Sequence, residues 1–216
     1  MYFISMSVKS DCGLSRAAVF SAQKIITLNV VNRTQVNNII AFTISHNLEE
    51  VKTGIAKDFK KYSITRGKSS LFLFGIKKSH GIIPSIVDSF SIPLFPFYAE
   101  NGTETFQLLS PDKDSIDKSL SLIEKDNIVE SVNYDRITDG DSILTIFKKI
   151  NMMTHTSNLT DIEMKIIKKA LNEVFFSWPR SFDLSAMSNS FSLAKPTVLY
   201  HLRNAERKIM YSMFGY

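Results

Sequence analysis

Cysteine is almost absent from this chain. Cys12 is the single one in 216 residues, so no disulfide can close within the chain, and no Cys/His spacing resembles a zinc site. Long apolar runs are missing too: no stretch approaches the roughly 18 residues that a membrane-crossing helix needs. The opening MYFISMSVKSDCGL lacks the basic, apolar and small-residue segments of a secretory signal, so the expectation is a cytoplasmic chain with no membrane partner. Gly54, Gly67, Gly75, Gly81, Gly102 and Gly140 stand alone, with no phosphate-cradling G-x-x-x-x-G-K-[ST] among them. His46, His80 and His155 have no metal-ligand partner at short spacing, and Cys12 has no base near it in sequence. Asp135, Asp139 and Asp141 could face a cation, but Gly140 between two of them reads better as a turn. No catalytic constellation can be assembled, and neither enzymatic activity nor a cofactor is expected.

What is present is an ordinary globular composition, 44% hydrophobic and 22% charged with 16 Phe, long enough for one domain or two small ones. The formal net charge of +5 admits an anionic partner without selecting one. Its placement is more informative. From Asn151 onward there are eight Lys/Arg against five Asp/Glu, or +3, whereas the first 150 residues hold eighteen against sixteen, or +2.

Up to about residue 140 the chain alternates β-branched and aromatic runs with shorter amphipathic stretches. Strands are expected at Tyr2 to Val8, Ala22 to Val31, Asn38 to Ser45, Ser70 to Lys77, Ile92 to Tyr98, Thr105 to Leu109 and Ile128 to Tyr134. Helices are expected at Leu48 to Tyr62, with a stripe of Val51, Ile55, Phe59 and Tyr62, at Ile82 to Phe90, and at Pro111 to Lys125. Two β-α-β units result, IIAFTIS to SSLFLFGIK and TFQLLS to NIVESVNY. They imply an α+β domain, ferredoxin-like or ACT-like, with helices on a sheet. No repeat of diagnostic period is visible. Residues 1–145 are read as a sensor or dimerisation domain, 146–158 as a polar linker, and 159–216 as a helical domain.

That last domain opens sharply. Thr160 and Glu163 stand at capping-box spacing, and Leu159 and Met164 flank them where a hydrophobic staple packs. Ile162, Ile166, Ala170 and Val174 then form an apolar stripe, and Pro179 is expected to end the helix. Trp178 is expected as a structural plug in the loop. Asp183 can cap a short second helix with Leu184, Met187 and Phe191 inward. A turn at Ser192 leads to AKPTVLYHLRNAERKIMYSM, whose Val198, Leu202, Ala205 and Ile209 share one face. Opposite lie Tyr200, Arg203, Asn204 and Arg207, with Lys195, Thr197, His201 and Lys208 on the flanks. Arg can fork to guanine and Asn to adenine, while Lys, Thr and Tyr can hold phosphate oxygens. The apolar tail Met210, Tyr211, Met213 and Phe214 is expected to pack or to dimerise.

This stretch resembles the helix-turn-helix (HTH) domain of the bacterio-opsin-activator type of archaeal regulators. The resemblance rests on LTDIEMKIIKKAL, an aromatic-Pro-Arg loop (Phe175, Phe176, Pro179, Arg180), D-L-S-x-M in the second helix, and Val198 to Lys208 in the last. It implies a three- or four-helix module that binds double-stranded DNA sequence-specifically in transcription control. Two residues depart from the pattern. Ser192 stands where glycine reaches positive φ without cost, and Ala194 stands at an N-cap that Ser fills better. A small-molecule effector and a homodimer accompany this reading. The alternative is an ACT-like ligand-binding module whose helical tail serves protein interaction instead of DNA.

Overall fold

The computed structural model describes residues 1–33, 35–44, 47–67, 70–79, 81–156, 158–179 and 182–214, and the side chains of all of these except 153 and 154. Two compact units divide the chain, Met1–Ile150 and Asn151–Tyr216. His46, His80 and Arg180, singled out above, lie outside the described residues.

The first unit runs β1 (Tyr2–Lys9), α1 (Gly13–Ser21), β2 (Ile25–Asn32), β3 (Val36–Thr43), α2 (Leu48–Ile55) and β4 (Phe59–Arg66). It then runs β5 (Leu71–Lys78), α3 (Ile82–Asp88), β6 (Ile92–Pro93), β7 (Phe97–Glu100), β8 (Thr103–Ser110), α4 (Lys113–Ile123) and β9 (Ile128–Arg136), before α5 (Gly140–Thr156). Apart from the short β6, which pairs with β8, the order across the sheet is β4-β5-β3-β2-β7-β8-β1-β9, and every pairing is antiparallel.

That order exposes a duplication. Chain segments β1-α1-β2-β3-α2-β4 and β5-α3-β7-β8-α4-β9 are each a split β-α-β unit. A unit folded alone would set its own first strand between its third and fourth. Here the first strands are exchanged: β5 lies between β3 and β4, and β1 lies between β8 and β9. The short connection from β4 makes β5 its hairpin partner, with Arg66 opposite Leu71, so β5 fills the slot that β1 would take.

Because of the exchange, the helices of each segment pack on a part of the sheet that includes the other segment's first strand. Leu14, Ala17 and Ala18 of α1 and Val51 and Ile55 of α2 pack on Ile25, Ile39, Ala41, Leu71 and Leu73. Ile82, Ile86, Ile116 and Ile123 pack on Ile4, Met6, Val8, Phe106 and Leu108. The alternation along β1 that sends Ile4, Met6 and Val8 inward follows the two-residue period of a strand. Helices α1 and α2 approach most closely at Gly54, where a Cβ would stand 2.4 Å from the Ala17 backbone. A further cluster of Phe3, Leu94 and Ile150, with Leu109, Ile137 and Ile146, places α5 over the opposite side of β1 and β8.

Several expectations change. The helix expected through Tyr62 ends at Ile55, and Phe59 begins β4, because pairing with β5 outweighs the helical spacing of Phe59 and Tyr62. The Phe59 ring occupies the space above Gly75 that a side chain there would fill. Helix α1 escapes the pattern reading: it is short, has no acidic residue in its first turn, and is capped by the Cys12 sulfur, which accepts from the Ser15 amide at 3.4 Å. Prolines split the strand expected from Ile92 to Tyr98 into β6 and β7. Pro111 precedes α4 instead of sitting in its first turn, and Asp112 caps that helix by accepting from Ser115 N at 2.8 Å. Residues 146–158, expected as a linker, are helical through Thr156 as the end of α5. Asp139, considered as a cation ligand, instead accepts from the Ser142 amide at 2.8 Å at the start of that helix.

Candidate DNA-binding surface

The second unit contains α6 (Asp161–Asn172), α7 (Leu184–Phe191) and α8 (Lys195–Phe214). Ile166, Ile167 and Ala170 of α6, Met187 of α7 and Val198, Leu202 and Ala205 of α8 form one core with Phe175, which Leu184, Phe191 and Ile209 border. The stripes read from helical spacing are therefore the packed faces, except at Val174, which is half exposed at φ 59° after the end of α6. The chain leaves α6 at Glu173 and Val174, where Phe175 N donates back to Ala170 O at 2.9 Å, so the helix stops well before Pro179. Trp178 is 91% exposed and is not the plug expected of it.

The starts of α6 and α7 are capped as their sequence predicts. Thr160 Oγ1 accepts from Glu163 N at 3.4 Å while Glu163 Oε2 accepts from Thr160 N at 2.8 Å, a complete capping box. Asp183 Oδ1 accepts from Ala186 N at 2.8 Å, and these amide bonds hold its carboxyl below its ordinary value. Between α7 and α8 the turn is tight. Ser192 sits at φ 52° and ψ 37°, its amide donates to Asn189 O and Ser188 O, and Leu193 N donates to Ser188 O at 3.2 Å. Helix α8 starts without a side-chain cap at Ala194, whose carbonyl accepts the first helical bond, from Val198 N at 3.0 Å.

With Val198, Leu202 and Ala205 buried, the opposite side of α8 faces outward. Lys195, Thr197, Tyr200, Arg203 and Arg207 are exposed, and His201, Asn204 and Lys208 are half exposed. The outward side chains are not independent. Arg203 Nη1 pairs with Glu206 Oε2 at 2.7 Å, Arg207 Nη2 donates to Asn204 Oδ1 at 3.1 Å, and the Tyr200 ring stands edge-on to His201. Lys208 turns away from this row: its Nζ donates to Glu163 Oε2 at 2.7 Å, so its charge is engaged by α6. Sequence spacing alone put Lys208 on the flank of the DNA row, because its partner lies 45 residues earlier in the chain. Met210, Tyr211, Met213 and Phe214, expected to pack or dimerise, are exposed in the single chain. Among the described residues no helix is long and apolar enough to cross a membrane, and no acid, His and Cys cluster could hold a metal ion.

Comparison with known proteins agrees with this geometry. The family described as "HTH DNA binding domain" matches residues 159–211. A Haloferax volcanii protein named "Putative transcriptional regulator" is 34% identical over 58 residues, which cover 27% of this chain and 10% of that protein. The alignment therefore spans about a tenth of the length of this curated relative. No solved structure matches the chain. A capped α6, the turn at Ser192 and the outward row of α8 fall inside the matched stretch, and the C-terminal unit is a helix-turn-helix DNA-binding domain of the bacterio-opsin-activator type.

Proposed function

We propose that this chain is a transcriptional regulator that reads duplex DNA by laying α8 in the major groove. The observation carrying this reading is the outward row of Thr197, Tyr200, Arg203 and Arg207 on a helix whose other side is fixed in the core. Lys195 and Thr197 lie in the first turn of α8, the end from which HTH recognition helices reach base edges. Arg203 and Arg207 stand where guanidinium forks can meet guanine or phosphate, once Arg203 exchanges Glu206 for DNA. Phosphate contacts would supply most of the affinity and make it salt-dependent.

The first unit takes the sensing and dimerising roles in this proposal. A dimer lets two modules read half-sites one helical turn apart. The rival reading, in which the helical tail serves protein interaction, is favoured by one observation, the exposed row Met210, Tyr211, Met213 and Phe214.

Genomic fragments recovered with the wild-type chain provide the DNA for the decisive comparison. Arg203→Ala with Arg207→Ala is expected to abolish the gel shift at moderate salt while circular dichroism stays unchanged. Replacing the tail aromatics Tyr211 and Phe214 with Ser should leave the shift in place. Undiminished affinity in the double arginine variant rejects the DNA-reading role of α8.

A further inference from the structure

The first unit encloses a cavity of about 250 Å3, and corresponding elements of its two halves line it. The β1–α1 loop contributes Asp11 and Cys12, and the matching β5–α3 loop contributes Gly81. Strand β3 contributes Asn37 and strand β8 contributes Glu104, the second residue of each.

Two of these polar groups are buried without a full set of partners. Asn37 is 1% exposed, and among the described residues nothing donates a hydrogen bond to its Oδ1. A buried acceptor without a donor bears the full desolvation of its oxygen. Glu104 is 8% exposed and accepts from Ser10 Oγ at 2.5 Å, but among the described residues no cationic side chain pairs with it. The carboxylates Asp11 and Asp58 differ, because Arg16 pairs with both, at 2.8 and 2.9 Å. Lys77, directly across from Asn37 in β5, lines the same cavity, and among the described residues no carboxylate pairs with it. Cys12 marks how close the two free charges lie. Burial pushes its thiol up to about 12, Glu104 pushes the same way and Lys77 opposes. At that value the thiol stays protonated and is no nucleophile.

We propose that this cavity binds a small molecule bearing a primary ammonium group, whose N–H donors meet the Glu104 carboxylate and Asn37 Oδ1. It deepens the sensing role given above to the first unit and rests on that role for its regulatory meaning. An ammonium offers three donors and no acceptor, matching a cavity lined by both an orphan amide oxygen and a carboxylate that no described cation pairs with. An anion would face Glu104 and Asp126, and an apolar guest would leave the Asn37 oxygen unsatisfied. Lys77 in the same lining leaves a place for an anionic group on the same ligand, so a simple amine and a zwitterion are both sources of the ammonium.

Calorimetric titration of the full chain with propylamine, alanine and propionate tests this. Propylamine and alanine are expected to bind and propionate is not. Glu104→Gln should weaken binding at least tenfold. Should Glu104→Gln fail to fold, Asn37→Ser makes the same comparison, with an expected loss of severalfold. Tighter binding of alanine that Lys77→Met abolishes supports a zwitterion; equal binding of the two supports a simple amine. Silence with both ammonium probes on folded protein, propionate binding as strong as propylamine, or unchanged affinity in Glu104→Gln overturns the proposal. Gel shifts keep it separable from the regulatory reading: ligand binding without any change in DNA affinity retains the cavity and removes the sensing role.

Discussion

Lys208 Nζ and Glu163 Oε2 meet at 2.7 Å, joining the last helix to the cap of the first helix in its unit. The same carboxylate oxygen accepts from the Thr160 amide, so one buried group fixes the start of α6 and the position of α8. The outward row of α8 therefore depends on a contact on the far side of the helix that carries it. Lys208→Met is expected to lower stability by about 1–3 kcal/mol, since it leaves a buried carboxylate with one charge partner fewer. If Lys208 acts only here, the salt dependence of DNA binding in this variant keeps the wild-type slope. A slope lower by about 1 would give Lys208 a phosphate contact instead.

The same pair has a pH signature. Burial raises the Glu163 carboxyl, but the Lys208 ammonium and the Thr160 amide and hydroxyl outweigh burial and hold it below its ordinary 4.5. A carboxyl lowered on folding contributes stability that is present above its unfolded value and is lost as the pH falls through the folded one. The Tm difference between wild type and Glu163→Gln should therefore be largest near neutrality and shrink once the pH drops below 4.5. A difference that stays constant down to acid pH excludes this carboxylate as its source.

Two substitutions next to the outward row of α8 should stabilise the unit. Ser192 holds φ 52° with its side chain exposed, a left-handed conformation that costs a non-glycine residue about 1–2 kcal/mol. Ser192→Gly removes that strain but gives the unfolded chain more freedom, so the expected net gain is roughly 0.5–1 kcal/mol. Ala194→Ser supplies the missing N-cap for α8 and should add about 1 kcal/mol. Thermal unfolding of the single and double variants checks both. No gain at Ser192 would mean that the freedom glycine gives the unfolded chain cancels the relief of the αL strain.

Helix starts were legible because caps are local: Thr160 with Glu163 and Asp183 each announce themselves within four residues. The inner faces of α6, α7 and α8 were legible because a packed face repeats at the helical period. The strand exchange left no such mark. It follows from the short connection between Arg66 and Leu71, and the two halves share little beyond Lys9-Ser10 against Lys78-Ser79 at the ends of their first strands. Asn37 and Glu104 could not be singled out either, since only the folded sheet buries each of them at the lining of one cavity. Helix α1 was missed because its cap is a cysteine, a residue outside the usual capping set.

Trp178 gives a simple check on the loop after α6. It is the only tryptophan and lies 91% exposed, so Trp178→Ser should change stability by less than about 0.5 kcal/mol, as surface substitutions do. Its fluorescence in the free chain should be fully accessible to acrylamide. A loss of several kcal/mol on substitution, the scale expected for removing a packed aromatic, would restore the plug role.

The proposed dimer can be located on the first unit. On β1 and β8, Phe3 and Leu109 are covered by Ile146 and Ile150 of α5. The matching positions on β5 and β3, Phe72 and Phe42, stack on each other at 5.8 Å, and Ile40, Phe72 and Phe74 are 44%, 44% and 49% exposed. An apolar patch like this is the kind of surface that a partner covers. The segment that fits it is already present in every copy, since α5 exposes Leu144 and Phe147 away from its own strands. A second chain offering α5 to this face, and receiving the first chain's α5 in return, makes a two-fold contact. Phe72→Ser with Phe74→Ser should convert a dimer to a monomer in light scattering at micromolar concentration, with little change in Tm because both rings are exposed in the single chain. A wild-type chain that is monomeric under those conditions, or a double variant that remains dimeric, removes this face from the assembly.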